Sequence, residues 1–201
     1  IPAVGLMIKR FLDLTFSAVA LLLTAPLFAL LAVLIKCDSP GSVFYASDRV
    51  GLKGRRFKCY KFRTMVEDAD LQKQKLRDSN ERNGPFFKLA NDPRITRIGR
   101  LLRKTSLDEL PQLVNVLRGQ MSLVGPRPHP VDDYELYSIE HLRRLDVSPG
   151  LTGLWQVTAR KDPSFETNMA LDLEYIENWS LGLDLKIMLK TIPAVLRSEG
   201  I

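Results

Sequence analysis

Apolar residues fall into one long unbroken run near the start of the chain and several short periodic runs after it. Phe11 to Ile35 is 25 residues with a single charge, Asp13, and gives way to Lys36. At roughly 1.5 Å per residue, a helix of that length reaches across a bilayer core of about 30 Å. Basic residues flank both ends, Lys9 and Arg10 on one side and Lys36 on the other, so the positive-inside rule is met best if both ends are cytoplasmic. Pro26 lies mid-run. There it removes one helical hydrogen bond and clashes with the carbonyl of Leu22, while Thr24 can help satisfy the freed backbone. The pattern predicts a re-entrant helix-break-helix that dips into one leaflet and returns; a plain spanning helix with a tolerated proline fits the same residues. A cleaved signal peptide does not fit, because the run is too long and lacks a small-residue cleavage site before a disulfide-bearing domain.

After the Asp38-Ser-Pro40-Gly41 stop, Val43 to Tyr45 and Phe57 to Phe62 read as short strands around the turn Gly51-Leu-Lys-Gly54. Residues 67–84 are charged and weakly periodic, and read as a surface excursion. Arg94, Arg97, Arg100 and Arg103 recur every three residues with Ile95, Ile98, Leu101 and Leu102 between them, a basic amphipathic pattern suited to a membrane surface. Leu110, Leu113, Val114 and Leu117 have helical spacing. Pro111 has no N–H to donate, so it belongs in the first turn, which sets the N-cap near Leu107 or Asp108. Phe165 to Trp179 and Leu181 to Leu196 read as two further helices, the second offering Leu183, Ile187 and Ile192 to core or lipid. Trp179 suits an interfacial anchor or a core position equally. The fold expected is α+β and mainly helical: an N-terminal re-entrant membrane helix-break-helix over 1–37, then a catalytic domain over 38–201 with amphipathic interfacial helices and a small β-hairpin.

Composition narrows the partners. A chain of 201 residues suits one domain with a real core, or a smaller domain plus membrane elements. The net charge of +6 points to anionic partners, meaning nucleic acid, acidic lipid or a phosphorylated substrate. No zinc-finger, recognition-helix or aromatic RNA-binding signature is present, and a long apolar run is a poor companion for one, so no nucleic acid is expected. Cys37 and Cys59 are in no metal or redox spacing and read as free thiols in a reducing compartment.

The chemistry concentrates in Arg103-Lys-Thr-Ser106-Leu-Asp108-Glu109-Leu-Pro111-Gln112 and in Gly125-Pro126-Arg127-Pro128-His129-Pro130. A carboxylate at a helix start meets the positive end of the dipole and unpaired N–H groups that also welcome phosphate. Asp108 is therefore a candidate nucleophile beside an anion site. The alternative is an ordinary N-cap, or a Ser106/Glu109 capping box. Closely spaced prolines hold Arg127 on a stiff support, which suits bidentate phosphate or base recognition; a surface arginine on a structural turn is the plain alternative. Lys61 or Arg63 could approach a phosphate, or form a solvated face of the hairpin. His129 has no metal-ligand partner at a useful spacing.

These motifs occur in an order and spacing that resemble the bacterial sugar transferases, the monotopic phosphoglycosyl transferases that prime lipid-linked glycan synthesis. The likeness runs from about Lys9 to Arg197. It rests on Lys9-Arg10 with Asp13, Pro26, Tyr60-Lys61-Phe62-Arg63-Thr64-Met65, Arg103, Ser106-Leu-Asp108-Glu109-Leu-Pro111-Gln112, Gly125-Pro126-Arg127-Pro128, Pro149-Gly150-Leu-Thr152-Gly153-Leu-Trp155-Gln156, and Asp172 with Tyr175. The resemblance implies transfer of a hexose 1-phosphate from a UDP-hexose, galactose or glucose favoured, to undecaprenyl phosphate with release of UMP. Asp108 would be the nucleophile of an aspartyl-phosphosugar intermediate and Glu109 its catalytic neighbour and Mg²⁺ ligand. Arg103 would meet the polyprenyl phosphate, and Lys61, Arg127 and Asp172 would bind substrate. The resemblance further implies a monotopic protein at the cytoplasmic face of the bacterial inner membrane, in contact with membrane lipid, serving exopolysaccharide, O-antigen or capsule synthesis. A non-catalytic membrane-surface protein and a metal-assisted phosphohydrolase remain the rival classes, and oligomerisation is left open. Because the chain starts at Ile1, it is also expected to be the core of a longer protein.

Overall fold

The structure is a computed structural model that describes residues 3–69, 71–72, 89, 92–135, 137–160, 162 and 164–196. Most of the charged excursion expected at 67–84 lies outside the described residues. Helix α1 spans Ala3–Asp38 as one element with Pro26 inside it. The helix-break-helix is thus corrected in one respect: the helix continues on both sides of the proline. A proline forfeits a single ladder bond, and Thr24 Oγ1 meets the Ala20 carbonyl at 2.6 Å just before it. Among the described residues α1 is the one helix long and apolar enough to cross a membrane, and 11% of its apolar window is buried in protein.

The burial that α1 does have falls at two places, Asp13 with Ser17 and Leu31 with Ile35. At the first, Lys9 Nζ donates to the Val124 carbonyl at 2.9 Å and pairs with Asp184 at 2.6 Å. Arg10 donates to the Val116 and Leu117 carbonyls at 2.7 and 3.0 Å, and the Asp13 carboxylate accepts the Leu123 N–H at 2.9 Å. At the second, Leu31 and Ile35 pack with Phe62 and Leu102, and Asp38 accepts the Ile98 N–H at 2.9 Å. The basic pair before the apolar run is therefore consumed inside the protein. Between the two anchors, Phe16, Val19, Leu22, Leu23 and Leu30 are exposed.

Strands β1 (Phe44–Val50) and β2 (Arg56–Phe62) pair antiparallel with Tyr45 opposite Lys61. The first strand is longer than its apolar residues suggested, because Ser47, Asp48 and Arg49 are carried along by pairing with Cys59, Lys58 and Phe57. Phe57 and Cys59 point inward onto Val116 and Met121, and both cysteines are free thiols.

Helix α2 (Arg97–Thr105) is capped by Thr96, whose hydroxyl accepts the Gly99 N–H. The expected basic face is kept on α2 and corrected at its first member, which lies before the helix starts at Arg97 and has an acidic partner two residues away. Arg97, Arg100 and Lys104 are exposed, while Arg94 is buried against Asp92 at 2.6 Å. The helix lies so close to the chain after β2 that a Cβ on Gly99 would sit 2.1 Å from the Thr64 carbonyl oxygen. Backbone cannot give way as a side-chain tip can. Gly99→Ala is therefore expected to destabilise the protein by about 3 kcal/mol, read as a lowered melting temperature; an unchanged one would mean that α2 is free to move off this contact.

Helix α3 (Gln112–Leu117) carries the buried Asn115, which accepts the Tyr60 N–H and donates to the Lys58 carbonyl, fastening α3 to β2. A second, parallel sheet pairs β3 (Ser122–Val124) with β4 (Gly150–Thr152). The sequence carries no sign of it, since three residues are too few for a period of two to register. The short helices α4 (Val131–Tyr134) and α5 (Leu154–Thr158) follow β3 and β4. Helices α6 (Phe165–Glu177) and α7 (Leu181–Leu196) stand close to where apolar spacing put them. Val124, Tyr175 and Ile187 form their shared core, and Trp179 packs at its edge with Nε1 3.3 Å from Asp184.

Candidate active site

Helix α2 is stopped by Ser106, a non-glycine residue in the left-handed region at φ 57°. That conformation reverses the chain into a single 3-10 turn, Leu107–Glu109, and the Pro111 that follows is the cap of α3. Two expectations are corrected. Asp108 does not cap α3, and Ser106 makes no side-chain cap bond, so no capping box forms. Strong cations account for the difference: the Glu109 carboxylate turns to Lys61 at 2.7 Å and to Arg127, whose Nη1 donates at 3.1 Å and whose Nη2 completes a bidentate fork. A charge-assisted fork outcompetes a bond to one backbone N–H.

Each element contributes one piece. Lys61 comes from β2, opposite Tyr45. Arg103 comes from the last turn of α2, held by its Nε donating to Thr64 Oγ1 at 2.9 Å. Arg127 comes from the proline-rich segment after β3. All three share with Asp108 and Glu109 a cavity of about 520 Å³, to whose lining seven Lys or Arg and four Asp or Glu contribute. That excess of cation suits a polyanionic ligand.

Asp108 has one ion pair among the described residues, Lys61 Nζ at 3.8 Å. Burial pushes its carboxyl above the ordinary aspartate range, Lys61 and Arg103 pull the other way, and Glu109 adds to the rise. Burial also opposes ionisation of Glu109, but Arg127 and Lys61 outweigh it and hold that carboxyl well below its usual value. Adjacent carboxylates thus acquire different characters: one a locked anion, the other basic and lightly held. Divergent environments of this kind separate a reacting group from a structural one.

Asp172 does not line the cavity. It is buried on α6 and pairs with Arg144, whose Nη2 and Nε lie 2.5 and 3.1 Å from its Oδ2. Arg144 also donates to the Arg127 carbonyl and to the Tyr137 hydroxyl, each at 2.7 Å. The substrate contact expected of Asp172 is therefore corrected to a place behind Arg127. Tyr137 in turn bonds His129 Nδ1. Burial, with Arg144, Arg49 and Arg127 nearby, keeps the His129 imidazole neutral, its pKa well below the usual value. Sequence reading missed Arg144, Arg49, Arg160 and Asn168, none of which sits in a motif with a chemical signature.

No group of three or more His, Cys, Asp or Glu able to hold a metal occurs among the described residues. Both Glu109 oxygens are occupied by Lys61 and Arg127, so of the two carboxylates Asp108 is the one open to Mg²⁺, which takes one or two carboxylates and completes its shell with water and phosphate oxygens.

Comparison with known proteins gives a consistent picture. The bacterial sugar transferase profile matches residues 4–198. The exopolysaccharide production protein ExoY of Rhizobium meliloti is 50% identical over 98% of this chain and 89% of its own length. The undecaprenyl-phosphate galactose phosphotransferase of Salmonella typhimurium is 44% identical over 96% of this chain, though over 41% of itself. The UDP-glucose:undecaprenyl-phosphate glucose-1-phosphate transferase of Caulobacter vibrioides is 43% identical over 96% of this chain and 71% of its own.

Proposed function

The chain belongs to the bacterial sugar transferase family, and on that premise we propose that it transfers a hexose 1-phosphate from a UDP-hexose to undecaprenyl phosphate, releasing UMP. The observation that carries this reading is the lightly held, buried Asp108 in a cavity with Lys61, Arg103 and Arg127. A carboxylate oxygen of Asp108 attacks the β-phosphorus of the donor. The new O–P bond forms as the anhydride bond to UMP breaks, and UMP departs with the electron pair. An oxygen of undecaprenyl phosphate then attacks the same phosphorus and frees the Asp108 carboxylate. Lys61 and Arg127 oppose the charge that builds on the phosphoryl oxygens, fixed in place beforehand by Glu109. Arg103, at the end of α2, is assigned to the lipid phosphate. Mg²⁺ at Glu109, the ligand the family resemblance implies, would have to take a carboxylate oxygen from Lys61 or Arg127 and would supply further neutralisation of the diphosphate. Galactose and glucose are the sugars named for the relatives in Salmonella typhimurium and Caulobacter vibrioides.

The proposal includes a re-entrant α1 in the cytoplasmic leaflet of the inner membrane, in exopolysaccharide, O-antigen or capsule synthesis. What supports it is that both arms of α1 are tied to the same domain, Lys9 and Asp13 at one end and Ile35 and Asp38 at the other. A helix running straight through would leave its ends on opposite faces of a core about 30 Å thick.

The test is intact-mass measurement of the protein with Mg²⁺ and a panel of UDP-hexoses, without lipid acceptor. A gain of one hexose phosphate with release of UMP, discharged on adding undecaprenyl phosphate, is the expected result. Turnover with lipid but no adduct would mean direct transfer, and release of sugar phosphate to water without lipid would make the protein a hydrolase.

Because burial raises Asp108, the fraction of nucleophile ionised falls as pH drops through a value above the ordinary 3.8. The acid limb of kcat/KM is expected at that higher pH, and Lys61→Met should move it higher still, since Lys61 is the strongest influence lowering it. A limb that Lys61→Met leaves in place would take the titration away from Asp108.

A further inference from the structure

Beside Asp108 the cavity has a second wall, where three uncharged polar side chains stand near Arg160. Trp155 and Gln156 on α5 and Asn168 on α6 all line it. Trp155 is 9% exposed and Asn168 1%. Trp155 Nε1, Gln156 Oε1, and both Asn168 Oδ1 and Nδ2 are buried without a hydrogen-bond partner among the described residues. Leaving one such group unmade costs about 1–3 kcal/mol. Four such atoms on residues that line one wall call for a partner, which a bound ligand or an ordered water would supply.

From this we infer that Trp155, Gln156 and Asn168 form the subsite that reads the hydroxyl groups of the transferred hexose. The inference rests on the transfer reading above. Two arguments select the hexose within the nucleotide sugar. The first is chemical: these three side chains offer an indole donor, an amide acceptor and a full amide, which matches hydroxyls that both donate and accept, whereas the acceptor oxygens of Gln156 and Asn168 have nothing to accept from phosphate. The second is position. Arg160, just beyond α5, donates to Ser106 Oγ at 3.0 Å, which ties this wall two residues from Asp108. The hexose is one ester bond from the phosphorus that Asp108 attacks, whereas the uracil lies beyond a second phosphate and a ribose. A site built to bond a hydroxyl rejects the analogue lacking it far more strongly than an apolar pocket could, so these side chains would set which hexose is accepted.

The experiment measures kcat/KM of the full chain in detergent micelles with Mg²⁺, using the preferred UDP-hexose, its monodeoxy analogues, and UDP as a competitive inhibitor. Asn168→Ala and Trp155→Phe are compared with wild type; the second removes the indole N–H and some ring bulk but keeps an apolar aromatic side chain, so it stands if the first fails to fold. The expected result is a loss of about 10- to 100-fold for the intact sugar, at least one deoxy analogue on which variant and wild type converge, and a UDP inhibition constant within about twofold of wild type. Equal losses on every analogue, or weaker UDP inhibition, overturn the inference and give these residues a structural or a base-reading role. A wild type that accepts no UDP-hexose overturns the transfer reading and this inference together; an active wild type with indifferent variants overturns this inference alone.

Discussion

Asp108→Asn is expected to remove activity by at least about 10⁴-fold, the scale seen when an enzyme loses its nucleophile, and to prevent any hexose phosphate adduct. The same change should leave the melting temperature equal or higher. Burial and Glu109 both raise the Asp108 carboxyl. A carboxyl whose folded pKa lies above its unfolded value favours folding at low pH and opposes it once ionised. Asparagine keeps the shape and removes that opposition. The pairing of lost activity with retained or increased stability separates a reacting group from a structural one. If the Asp108→Asn variant kept a tenth of the wild-type rate, Asp108 would be a metal or positioning group and another residue would have to carry the bond to phosphorus.

Arg144→Leu should produce the largest loss of stability. It leaves Asp172 buried on α6 with its counter-ion gone, and breaking a buried pair on one side costs about 3–5 kcal/mol. In a chain of this length that is a fall in melting temperature of roughly 10 °C. Activity should fall as well, because Arg144 also holds the Arg127 carbonyl and the Tyr137 hydroxyl. The double change Arg144→Leu with Asp172→Leu distinguishes the roles. Stability should return in large part, since no unpaired charge stays buried, but the donor KM should remain raised, since Arg127 has lost its support. Recovery of both would reduce the pair to scaffolding, unconnected with Arg127.

The same separation runs through the whole protein. Residues whose signal is local were legible in the chain: the apolar run that became α1, the helical spacing that became α6 and α7, and the alternation in Phe57 to Phe62. The site was legible where a motif gathered its own chemistry, as in Asp108-Glu109 and the stiff proline support of Arg127. Misreadings came where a distant partner changed the outcome. Ser106 and Glu109 have the spacing of a capping box, yet Lys61 and Arg127 offered Glu109 stronger bonds. Arg94 belongs to an apparently exposed basic repeat, yet Asp92 and the Ala69 carbonyl took it inside.

By itself, then, the sequence determined that this protein has a membrane-length apolar helix, an excess of cationic residues and an adjacent carboxylate pair, Asp108-Glu109, just ahead of Pro111, because periodicity, charge and prolines act over a few residues. Only the tertiary structure decided which of the two carboxylates is left lightly held, that Asp172 stands behind Arg127, and that Trp155 and Asn168, with buried polar atoms that have no partner among the described residues, line the same cavity. Those outcomes depend on burial and on partners 17 to 48 residues away in the chain, and no local pattern encodes the dielectric or the company a side chain will keep once the chain has closed around it.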